Sequence, residues 1–233
     1  MAAFPLMLPG TSRPPKLVVF DLDHTLIACD ATILWTEFLY EKKIVTDPIW
    51  RQYDRDMVKS YAKGVLDIRD FCRKHAGAFR SIPEEKLHAL AQEFAKKKIA
   101  PLIFPDGKKW VKNALQANIP ACVLSASAAF IVKPIAKLFG LTDAMGIELA
   151  FKDGFCTGEI VGIPTFQEGK VERLSQRLTE AGIGFEDVLF FTDSRNDLPL
   201  AERAGYTVCV NPDAVLELSL IHISEPTRPR LIS

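Results

Sequence analysis

Leu17-Val18-Val19-Phe20 is a continuous apolar run. It is short and rich in β-branched residues, which predicts a strand buried on both faces. From Asp30 to Lys98 the apolar positions change to helical spacing, with start signals that repeat. Asp30 precedes Leu34, Trp35, Phe38 and Leu39; Asp47-Pro48 opens a second helix and Asp67 a third. Ser81-Ile82-Pro83-Glu84 has the form of a capping box with proline in the first turn, ahead of Leu87, Leu90, Ala91 and Phe94 on one face. Four helices in succession, directly after the first strand, predict an inserted helical cap over 30–101.

Beyond Pro101 helix and strand alternate. A helix is expected over 106–117, a buried strand over 120–124 ending in Ser125-Ala126-Ser127, and a helix over 128–139 kinked by Pro134. Asp153-Gly154 supplies a hairpin turn within 148–162. Gln167-Glu168-Gly169-Lys170 leads into another helix, and the apolar run 188–191 delivers Thr192-Asp193-Ser194-Arg195-Asn196-Asp197 at its end. A last strand spans 207–210. The alternation predicts an α/β fold, a doubly wound parallel sheet built from 16–29 and 102–217. Residues 1–15 read as a disordered, proline-interrupted tail. Leu218 to Ser233, LSLIHISEPTRPRLIS, reads as the in-frame translation of a transposon-end sequencing adapter and is set apart from the fold as an artefact.

Composition narrows the function classes. The chain has 233 residues and 48% hydrophobic content, enough for one sizeable core with a smaller lobe. Its 29 Lys and Arg cancel 29 Asp and Glu, so no net field draws it to nucleic acid or an anionic membrane. The run Lys96-Lys97-Lys98 falls at a helix carboxyl end, where cations oppose the dipole favourably. Five scattered cysteines without a C-x-x-C pair read as reduced, mostly buried thiols of a cytoplasmic protein. No apolar run reaches membrane-spanning length, and the oligomeric state is left open.

The candidate chemistry sits at strand ends. Asp21 and Asp23 are two apart, so both emerge on one side at the carboxyl end of the first strand, where open α/β sheets bind ligands. Taken alone they also read as a solvated strand-to-loop corner, and Asp193 alone as a helix cap. The same edge should collect Ser125, Asp193 and Asp197. Lys170 lies at a helix amino terminus, where it opposes the macrodipole unless a bound anion reverses the sign. Acids, one lysine and a hydroxyl suit a hard cation such as Mg²⁺ together with a phosphoryl group.

In this order the residues resemble the four motifs of the haloacid dehalogenase-like hydrolases: DLDHT, VLSAS, Lys170 and TDSRND. The helical insertion after the first motif, DSRNDLPL and the hairpin KDGFCTGEIVG resemble the phosphoserine-phosphatase-like branch, subfamily IB. The resemblance implies a Mg²⁺-dependent phosphomonoester hydrolase acting on a small phosphorylated metabolite in the cytoplasm. Asp21 would be the nucleophile that forms an aspartyl-phosphate, and Asp23 the acid and base, with its main-chain carbonyl on the metal. Asp193 would be a direct metal ligand, and Ser125 and Lys170 would neutralise phosphoryl oxygens. Asp197, Asn196 and Thr25 would support that shell. The resemblance further implies that a native terminal helix and strand are missing.

The cap departs from the branch. Where phosphoserine phosphatases place an arginine to grip a substrate carboxylate, this sequence offers Arg73-Lys74-His75, and a glutamate that contacts the substrate amine is matched by Asp30. Asp30 also reads as a helix cap, and His75 as a polar residue on a cap helix. Histidinol phosphate and phosphoserine are therefore equal candidates. Two alternatives remain: a phosphotransferase to an acceptor alcohol, and a non-catalytic binding module on the same fold.

Overall fold

The computed structural model describes residues 13–211, 216 and 230–232. The part of the expected amino-terminal tail before residue 13 lies outside the described residues. β1 (Leu17–Phe20) is central in a parallel sheet with β2 (Ala121–Ala128), β3 (Ala144–Ile147), β6 (Val188–Thr192), β7 (Tyr206–Val210) and β8 (Arg230–Ile232). The order is β3-β2-β1-β6-β7-β8. Val19 pairs with Cys122 on one side and Phe190 on the other, so β1 is hydrogen-bonded along both edges. That position explains its unbroken apolar sequence: all four residues are buried.

Alternation along β1 divides the core. Val18 and Phe20 join one cluster, with Val123, Phe191, Trp110 and Phe130. Leu17 and Val19 face the other, with Cys122, Phe190, Leu174 and Leu200. The first face carries α1 (Ala31–Glu41), α4 (Glu84–Phe94), α5 (Pro105–Gln116) and α6 (Ala129–Leu138); the second carries α7 (Glu168–Ala181) and α8 (Leu198–Ala201). Helices on both faces make the sheet doubly wound, as the alternation predicts.

The inserted helices do not form a lobe with its own core. Trp35 of α1 meets Phe38, Phe94 of α4 and Phe130 of α6, with ring centroids 5.7, 5.4 and 5.5 Å apart. Burying rings of this size contributes about 2–3 kcal/mol each, which seals α1 and α4 onto the sheet domain. α2 (Ile49–Ala62) and α3 (Ile68–His75) then lie over the strand ends, and α3 packs on the hairpin β4 (Leu149–Lys152) and β5 (Phe155–Ile160). The hairpin turn is as read: Asp153 and Gly154 have φ of 51° and 78°, the left-handed pair that a two-residue turn needs.

Two sequence expectations change. Ser81 forms no capping box; Pro83 is the cap residue of α4 and accepts no side-chain bond. The hairpin supplies the missing partner, because Glu84 N donates to Gly154 O at 2.8 Å, a tertiary contact that no local pattern encodes. The segment set apart at the carboxyl end contributes β8, paired in parallel with β7 from Val208↔Arg230 to Val210↔Ile232. An edge strand presents a row of free N–H and C=O groups, and an extended segment that reaches it satisfies them whatever its origin.

Candidate active site

β1 ends at Phe20, and the chain enters the cleft at once. Asp21 is 5% exposed, and its Oδ1 accepts from Lys170 Nζ at 2.7 Å. Lys170 is itself 1% exposed and also bonds Asp197 Oδ2 at 2.8 Å. Asp197 further accepts from Thr192 Oγ1 at 2.7 Å. α7 brings this lysine in because Gly169 lets the helix start against the preceding loop: a Cβ there would lie 1.9 Å from Pro164 O.

Asp23 is held by donors from two elements. Its Oδ1 accepts from Ala31 N at 2.6 Å, one of the orphan N–H groups at the start of α1. Its Oδ2 accepts from Ser125 Oγ at 3.2 Å and Ser127 Oγ at 3.0 Å. Ser127 is in turn 3.0 Å from Thr32 Oγ1. Thr25 Oγ1 donates to Asp193 Oδ1 at 3.4 Å. Asn196 donates to Tyr61 O at 3.1 Å and accepts from Gln167 Nε2 at 3.1 Å.

Charge is not balanced here. Burial pushes the carboxyl of Asp21 well above the usual range, against the pull of Lys170. Burial raises Asp23 too, with Asp30 adding repulsion. Asp193 is raised by burial and then by Asp21 and Asp197. The ammonium of Lys170, raised by Asp197 and Asp21 against its own burial, stays charged. Four carboxyl groups crowded round one ammonium in a buried place disfavour their own ionisation, and a divalent cation fits there because it would offset that repulsion. Among the described residues no three His, Cys, Asp or Glu side chains form a ready ligand cage. A site that offers fewer protein ligands than a cage suits an ion that retains several waters.

The cleft is walled by Asp21, Asp23, Ser127 and Asp193 on the sheet side and by Met57, Tyr61, Leu66, Ile68 and Phe71 on the cap side. Asp30 lines it too, while its Oδ1 caps α1 by accepting from Ile33 N at 2.9 Å. Asp30 thus caps α1 from the wall of the cleft. Arg73 lies apart from the cleft lining: it is more than half exposed and its Nε donates to Glu159 Oε1 at 2.9 Å on β5. Two residues, about 200° of helix, separate it from the cleft-lining Phe71. His75 is buried one turn behind Phe71 and lies 3.0 Å from Thr36 Oγ1. Burial holds it down at about 4, so it is neutral near pH 7.

Sequence reasoning missed Ser127, Thr192, Thr32 and Tyr61. Ser127 had a signal, since it is two residues beyond Ser125 on a strand and faces the same side. Tyr61 had none, because its place depends on how α2 crosses the sheet edge.

The parallel sheet thus delivers carboxylates from two strand ends to one buried lysine. The chain belongs to the haloacid dehalogenase-like hydrolase family, which residues 18–202 match. A histidinol-phosphatase of Neisseria meningitidis is 35% identical over 206 residues, covering 87% of this chain and 93% of that protein. A phosphoserine phosphatase of Mycobacterium tuberculosis is 27% identical, covering 91% and 71%. Among solved structures, a Bordetella pertussis protein of unknown function superposes with TM-score 0.83 at 29% identity, covering 94% of this chain and 98% of that one. A substrate-bound phosphoserine phosphatase superposes with TM-score 0.67 at 22% identity, covering 89% and 91%, which speaks for the fold. The chain is thus an enzyme of this family whose named relatives include phosphatases. No helix among the described residues is long and apolar enough to cross a membrane.

Proposed function

We propose that the protein hydrolyses a small phosphorylated metabolite in the cytoplasm through an aspartyl-phosphate. The observation that carries the reading is the buried contact of Asp21 with Lys170 at the end of β1, beside a second carboxylate held in a different environment. Asp21 attacks phosphorus, forming an O–P bond as the bond to the leaving oxygen breaks. Asp23, whose carboxyl is raised by burial, gives its proton to that oxygen and then takes one from the water that attacks the phospho-aspartate. Inorganic phosphate leaves and Asp21 is restored. Lys170 offsets charge on Asp21 and on the transferring group. Mg²⁺ held by Asp21, Asp193 and the Asp23 carbonyl would supply further neutralisation of phosphoryl oxygens. Ser125 and Ser127 orient Asp23, and Asp197 orients Lys170.

An amino-bearing substrate fits Asp30, which lines the cleft. Arg73 points to Glu159 and offers no grip for a substrate carboxylate. Histidinol phosphate has an amine and no carboxylate, so this arrangement favours it over phosphoserine, and the Neisseria relative bears a matching name. The test is hydrolysis of both monoesters with and without chelator. Asp21→Asn, nearly isosteric, should lower kcat by at least about 10³-fold while the far-ultraviolet spectrum and Tm are kept. A folded variant with turnover near that of the parent would remove Asp21 from the nucleophile's role.

A further inference from the structure

Gln167 adopts φ 48° and ψ −124° immediately before α7. That region is open to glycine and costly for glutamine, so the surroundings must hold it there. Its amide does so with both hydrogens. Nε2 donates to Gly64 O at 3.2 Å and to Asn196 Oδ1 at 3.1 Å. Asn196 passes the contact on, donating from Nδ2 to Tyr61 O at 3.1 Å and to Ser194 Oγ at 3.3 Å.

The two carbonyls reached, Tyr61 O and Gly64 O, belong to the end of α2 and the residues after it. Tyr61 O already accepts from Gly64 N at 2.9 Å in the closing turn of α2, and two amides from the sheet domain add bonds to this turn, at Tyr61 O and Gly64 O. The fit is local to the cleft. Gly64 turns the chain with φ 71°, after which Leu66 and Ile68 wall the cleft, and the Tyr61 ring lies 5.8 Å from Phe166, the residue before Gln167. At the other end, Lys170 N donates to Gln167 O at 3.0 Å, so the strained residue opens the first turn of the helix that carries the lysine.

We propose that Gln167 is a positioning residue that ties the seating of α2 over the cleft to the placement of Lys170 between Asp21 and Asp197. With α2 seated, the bridge to Gly64 keeps Gln167 in its strained backbone and fixes the start of α7. When α2 lifts to admit substrate or release product, the bridge opens and the lysine loses that support. Full neutralisation at Asp21 thus accompanies a covered cleft. The inference rests on the proposed phosphoryl-transfer role of Asp21 and Lys170.

The test uses Gln167→Gly, which deletes the bridge and relieves the backbone, and Gln167→Glu, which keeps the side-chain length and loses both donors. Expected for both is a kcat at least tenfold lower with KM changed less than threefold, and faster amide hydrogen exchange at residues 61–65. The glycine variant should melt no lower than the parent, an outcome that a purely structural role for Gln167 would not give. Turnover within twofold of the parent in both variants, or unchanged exchange at 61–65, overturns the proposal. Should the parent hydrolyse no monoester at all, the functional reading fails by itself, and the exchange measurement still decides whether the bridge holds α2.

Discussion

Lys170 enters the sheet edge with 1% of its side chain exposed and lies against Asp21 and Asp197, whereas Arg73 leaves the cap 55% exposed and pairs with Glu159. Both are helix-borne cations, and the sequence pattern offers both as candidates for the site. At the sheet edge, strand ends fix where the chain must go, and a lysine delivered there has only carboxylates to meet. In the cap, a helix can present any of its faces to the cleft, and packing on β5 decides which one. A residue placed by strand register is more directly legible in sequence than one placed by helix rotation.

Breaking the buried side of this comparison should have the largest effect. Lys170→Ala leaves Asp21 and Asp197 largely buried without their ammonium, and removal of one partner from a buried pair costs about 3–5 kcal/mol. Turnover should fall by at least about 10³-fold, and Tm by roughly 10 °C in a chain of this size. Added divalent cation should restore part of the stability and little of the rate. A variant within 2 °C of the parent by calorimetry would show that the carboxylates are neutral or solvated, against the burial seen here.

The same contrast explains what was legible in the sequence. The run 17–20, the two carboxylates after it, Ser125 and the acids at 193 and 197 were all readable, because an unbroken apolar strand announces burial and its end announces a site. Lys170 was readable as a misplaced charge. The roles of Arg73 and His75 were not, since they depend on which face of α3 meets β5 and α1. Ser81 failed for a similar reason: Gly154, distant in sequence, supplies the bond that a local cap would have made. The pairing of β8 with β7 was also beyond the pattern, being a matter of a free sheet edge.

The buried cap pair Asp54 and His75 sharpens the comparison, because it shows what a charge in the cap costs when it is not exposed. Asp54 Oδ1 lies 3.5 Å from His75 Nε2 and accepts no hydrogen bond. Burial pushes Asp54 up to about 7, with repulsion from Asp30 and Glu37. Its folded pKa is therefore above its unfolded value, so its contribution is fully present at low pH and is lost as pH rises through about 7. His75, held at about 4, loses stability as pH falls below its ordinary value and is silent above pH 7. Between pH 6 and 8 the stability difference between Asp54→Asn and the parent should widen by about 1 kcal/mol in the variant's favour, the titration of His75 being common to both. The difference in Tm between variant and parent should grow by a few degrees over that interval; a difference independent of pH would mean that Asp54 is ionised throughout.

The smallest effect belongs to Arg73→Ala. The Arg73–Glu159 pair is open to water on both sides, at 55% and 59% exposure, and such pairs contribute about 0–1 kcal/mol. Truncation should shift Tm by no more than about 2–3 °C, and raised salt should narrow even that difference. Because the side chain leaves α3 away from Phe71, KM for phosphoserine and for histidinol phosphate should change by the same small factor. A KM for phosphoserine that rises tenfold while that for histidinol phosphate holds would place a guanidinium on a substrate carboxylate. That result would require α3 to turn when substrate binds, and the cap would then resemble the sheet edge more closely than its packing on β5 suggests.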